Sequence, residues 1–129
     1  MALKWTLAFL AALGGFTAGG IIGSVASDLA GYWYRPGAGF CAALAVVVVA
    51  YLAAPTHKLL SATVVLLLGA IAAWIVLEPS WYPESYAPTH APIIATYVGG
   101  ALGFLVAAGI HRRARPNNSF KGMPLRGTP

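Results

Sequence analysis

Four runs of this chain, residues 5–25, 37–54, 59–77 and 92–110, contain no Asp, Glu, Lys, Arg or His. Each meets the length of roughly 20 residues that an apolar α-helix needs to cross a bilayer. Only 9% of the 129 residues are charged and 59% are hydrophobic, whereas a soluble domain carries about a quarter charged residues. A soluble globule is excluded, and so is a disordered chain, which needs low hydrophobicity.

Breakers bracket the runs: Pro36 precedes the second, Pro55 follows it, Pro79 follows the third and Pro92 opens the fourth. Proline is tolerated in a first helical turn, where its missing N–H would have no partner. The β-branched stretch Val46, Val47, Val48 and Val49, with Val64 and Val65, would favour strands in water. In lipid, backbone polar groups must be satisfied within the segment or in a closed barrel. Barrel strands alternate polar and apolar residues, and these runs are apolar on every side. The expectation is all-α: four transmembrane helices in an antiparallel bundle spanning residues 1–111, followed by a basic tail, 112–129.

Charge distribution gives the orientation. With the N-terminus, Lys4, Lys58, Arg112, Arg113, Arg115, Lys121 and Arg126 fall on one side; of the eight basic residues only Arg35 falls on the other, with all three acids, Asp28, Glu78 and Glu84. The positive-inside rule places both termini in the cytoplasm, at a bacterial inner membrane. Lys4, the first apolar run and Ser24-Val25-Ala26 also resemble a signal peptide with a small-residue cleavage site. The run is longer than the usual stretch of about 7–15 residues, so it reads as a first span, with cleavage as the alternative.

Hydrophobicity does not drive helices together in lipid; close backbone approach does, and it needs small residues on one face. The first span supplies Ala11, Gly15, Gly19, Gly23 and Ser27 at four-residue spacing, with a second ridge through Gly14, Ala18 and Ile22. The last span repeats the device at Ala95, Gly99, Gly103 and Ala107, and the third has a weaker version at Gly69 and Ala73. Two such grooves suit a contact between the first and last spans that closes the bundle. Ordinary bundle packing, dimerisation and a pore lining all use such stripes. The short link around Pro55 makes the second and third spans adjacent and antiparallel.

Two loops face the other side. Residues 26–36 carry Tyr32, Trp33 and Tyr34; residues 78–91 carry Trp81, Tyr82 and Tyr86 among Pro79, Pro83 and Pro88. Such rings form belts at headgroup depth, and they also suit docking against a partner, because stiff rings bury large area. The tail residues Arg112, Arg113, Arg115, Lys121 and Arg126 attract anionic lipid or a partner. Nucleic-acid binding has no aromatic or fold support there.

Catalytic chemistry is poorly supplied. No carboxylate, histidine or base lies within a span, which argues against a proton-coupled carrier acting alone. Haem or chlorophyll would need axial histidines within the spans; His57 and His111 sit at one end and His90 at the other. They read as interfacial residues, so neither cofactor nor metal is expected. Cys41 has no histidine beside it and reads as a small packing residue. The glycine pairs at 14–15 and 19–20 lack the Lys-Ser/Thr of a phosphate loop. The expectation is a small non-catalytic subunit of a larger respiratory, photosynthetic or transport complex. Its alternative is a homo-oligomeric channel, transporter component or holin-like pore.

Overall fold

A computed structural model describes residues 2–77 and 90–114, all of whose regular structure is helical. The helices are α1 (Ala2–Leu29), α2 (Tyr34–Ala53), α3 (Lys58–Leu77) and α4 (Ala91–Ala114). All four are long and apolar enough to cross a membrane, which suits a multi-pass membrane protein. At 1.5 Å per residue α1 is about 42 Å long, more than the hydrocarbon thickness of about 30 Å. It accordingly runs past the apolar span read from the sequence at both ends.

The α1–α2 connection is shorter than the uncharged runs suggest. Gly31 takes a positive φ of 72°, Tyr32 N–H donates to Ser27 O, and Gly31 N–H donates to Asp28 O. These bonds satisfy the last carbonyls of α1, and the left-handed position they require suits glycine. Only residues 30–33 separate the two helices. At the next turn Ala54 is extended (φ −62°, ψ 126°), as the residue before Pro55 should be. His57 then adopts φ 47°, and its carbonyl accepts the Ser61 N–H as α3 begins. Pro92 sits in the first turn of α4.

The order of neighbours differs from the expected one. α2 contacts each of the other three helices and α3 contacts α4, while no described residue of α1 approaches α3 or α4. The first and last spans do not meet, because α2 lies between them. No residue of α2 from Arg35 to Tyr51 is exposed. The buried cluster Val47, Tyr51, Ala62 and Ala107 joins α2, α3 and α4 towards one end, with Val65, Leu66 and Phe104 against it. α1 lies along the opposite side of α2, outside this cluster.

Candidate functional site

The small residues come together in two seams, one on each side of α2. On the α1 side, a Cβ added at Gly15 would meet Val49 Cγ2 at 2.9 Å. One at Gly19 would meet Cys41 O at 2.6 Å and Ala45 Cβ at 2.8 Å, and one at Gly23 would strike Gly37 O. Gly37 in turn faces the Ser27 hydroxyl. Partner numbers fall along α2 as they rise along α1, so the two helices run in opposite directions. The α2 half of the seam, Gly37, Cys41, Ala45 and Val49, repeats the same four-residue spacing. Sequence reasoning missed this stripe, although the spacing was there to be read.

On the other side, a Cβ at Gly99 would strike Phe40 O, and one at Gly103 would meet Leu44 O at 2.8 Å. Gly39 abuts the Thr96 hydroxyl. Here the numbers rise together, so α2 and α4 run the same way. Gly37 and Gly39 serve opposite neighbours because residues two apart on a helix are about 200° apart around its axis. At Gly19, Gly23, Gly99 and Gly103 the glycine Cα–H is aimed at a carbonyl oxygen. Such contacts contribute about 0.5–1 kcal/mol each and require the missing side chain.

Several expected positions sit elsewhere. Ala11 is exposed, and Ala8 and Ala12 are buried instead. Four-residue steps rotate a stripe by about 40° each on a 3.6-residue helix, so a three-residue step must intervene to keep facing one neighbour. The second ridge, Gly14, Ala18 and Ile22, faces outward. Gly14 and Gly69 have nothing within 4 Å of an added Cβ, while Ala73 is buried. Ala95 is half-buried and lines a shallow cleft with Pro36, Phe40, His90 and Ile94; Ala107 is fully buried.

Hydroxyls within the spans mostly bond to their own helix. Thr6, Thr17, Thr63 and Thr96 donate to the carbonyls of Ala2, Leu13, Leu59 and Pro92, and Ser24 donates to Ile21 O. This is the usual way a helix in an apolar medium absorbs a hydroxyl. Tyr97 instead reaches across to Ala70 O at 3.2 Å, tying α4 to α3.

The polar contact that sequence reasoning did not find lies where α2, α3 and α4 meet. Tyr51, only 3% exposed, places its Oη 3.4 Å from His111 Nδ1. The two rings meet edge to face at 6.1 Å and 88°. Lys58 Nζ lies 6.0 Å from the same tyrosine ring centroid. Sixty residues separate Tyr51 from His111, and no local pattern announces the pairing. Arg112 and Arg113 follow in the exposed last turn of α4.

At the other end Tyr32 and Tyr34 are exposed and Trp33 is half-buried. Arg35 lies 6.0 Å from the Trp33 ring centroid; among the described residues it forms no ion pair with Asp28. Trp81, Tyr82, Tyr86, Arg115, Lys121 and Arg126 lie outside the described residues. No protein-family model, curated protein or solved structure matches this chain.

Proposed function

We infer that the chain is a small non-catalytic subunit that stabilises a larger complex of a bacterial inner membrane. In this reading its four helices form an antiparallel bundle with both termini cytoplasmic. The use made of the small residues carries it. Gly19, Gly23, Gly99 and Gly103 bring α1 and α4 against the backbone of α2, with less room than one methyl group at each seam. The grooves hold the chain itself together, so contacts with other subunits fall to different surfaces. Those surfaces are the outward side chains of α1 and α3, among them Phe9, Phe16, Leu68 and Trp74, and the exposed rings Tyr32 and Tyr34. The partners would be larger membrane-embedded chains of a respiratory, photosynthetic or transport assembly, with anionic lipid at Arg112 and Arg113.

Purification in mild detergent, followed by mass spectrometry, tests this: defined additional chains should co-purify. Recovery of the chain alone from its native membrane would count against it. A second reading, a homo-oligomeric channel, draws on the outward strip of Gly14 and Ala18, flat enough to receive another copy. Ion flux through liposomes holding only this chain would favour it.

A further inference from the structure

At the end of the molecule where Tyr51, Lys58 and His111 meet, the described residues supply donors and no carboxylate. Lys4 opens α1 at this end, Lys58 opens α3, and Arg112 and Arg113 close α4. The one acid among the described residues, Asp28, lies in the last turn of α1, at the opposite end. Lys58, Arg112 and Arg113 thus have no carboxylate partner among the described residues. With its Nδ1 engaged by the Tyr51 hydroxyl, half-buried His111 keeps its other ring nitrogen to donate, whereas Tyr51 itself is enclosed. The Tyr51 ring holds the Lys58 ammonium and the His111 imidazole each about 6 Å from its centroid. Leu52, Leu60 and Ile110, each within two residues of Tyr51, Lys58 or His111 in the chain, are exposed and apolar. Cationic donors bordered by apolar surface match a molecule with an anionic head and hydrocarbon tails.

We propose that Tyr51, Lys58 and His111 form a discrete site for the phosphate of one anionic phospholipid. The site deepens the reading of this end as lying among headgroups, and it assigns the binding to a tyrosine-centred cluster rather than to the diffuse charge of the tail. The Lys58 ammonium and the His111 ring N–H bind the phosphate oxygens, buried Tyr51 positions both, and the acyl chains lie along Leu52, Leu60 and Ile110.

The test is native mass spectrometry of the full chain in mild detergent, incubated with phosphatidylglycerol, phosphatidylcholine or inorganic phosphate. One phosphatidylglycerol per chain should be retained in preference to phosphatidylcholine. The Lys58→Gln/His111→Gln variant should lose that retention about tenfold or more, because it removes directed hydrogen bonds to a charged phosphate, where the helix-end arginines supply only diffuse charge. It should lose more than Arg112→Gln/Arg113→Gln, although the arginine pair removes more formal charge. Equal retention by the first variant, or a larger loss from the arginine pair, would overturn the site. So would retention of inorganic phosphate with no preference between the two lipids. If the first variant fails to fold, Tyr51→Phe decides, because it keeps the ring: about threefold loss is expected, and unchanged retention refutes the proposal. Lipid is counted on the purified chain, so this result and the co-purification of partner subunits can fail independently.

Discussion

The two sides of α2 are closed by different means. Towards α1 the contact is one seam of glycine, alanine, serine and cysteine with Val49 at its far end, closing at the Gly31 turn. Towards α4 a similar seam continues into side chains: Val47, Ala62 and Ala107 are essentially sealed from outside, and Tyr51 meets His111 beyond them. α3 buttresses that side through Leu66 against Gly100 and Tyr97 on Ala70. Nothing described buttresses α1 from behind. Between two helices a glycine seam gives close approach but no redundancy, whereas a three-helix contact shares the load.

The largest expected effect falls on the unbuttressed side. Gly19→Leu drives a branched side chain into the Cys41 carbonyl, and backbone cannot yield as a side-chain tip can. A loss of about 3 kcal/mol is expected, read as a lower SDS fraction at half-unfolding in mixed micelles. Wild-type stability in this variant would break the seam account. Gly99→Ala, aimed at the Phe40 carbonyl, should cost about 2 kcal/mol. Its unfolding should remain a single transition, because α3 holds both partners.

Smaller effects sharpen the contrast. Tyr51→Phe removes a long hydrogen bond and keeps the ring, so about 0.5–1 kcal/mol should be lost. That loss belongs to the α4 side: α1 should stay attached, as judged by protease resistance of the α1–α2 turn. Gly100→Ala crowds only the movable tip of Leu66, at 2.8 Å, its other neighbour being at ordinary contact distance, and should cost less than about 1 kcal/mol. Gly14→Ala has open space around it and should be neutral or stabilising by up to about 1 kcal/mol, since alanine restricts the unfolded chain. A destabilised Gly14→Ala would show that this face is covered in the native assembly.

The helices themselves were legible because uninterrupted apolar length leaves few alternatives in lipid. The small-residue spacing marked which faces of α1 and α4 can approach a neighbour. It could not say which neighbour, because a groove of glycines accepts any smooth helix. α2 was hidden as the shared partner: its conspicuous feature is the valine run, whereas its contacts begin earlier, at Gly37 and Gly39. The Tyr51–His111 contact depends on three helices ending at one level, which no local pattern encodes.

The central claim is that α2 separates α1 from α4, and cross-linking tests it directly. An added Cβ at Gly20 lies 3.8 Å from Ala42 Cβ, and one at Gly100 lies 3.9 Å from Ala43 Cβ, both close to the disulfide mean of about 3.8 Å. In a Cys41→Ala background, oxidation should protect Gly20→Cys/Ala42→Cys and Gly100→Cys/Ala43→Cys from maleimide labelling. The Gly20→Cys/Gly100→Cys variant should stay fully labelled. Protection of that last pair within one chain, with the first two left reactive, would contradict the account.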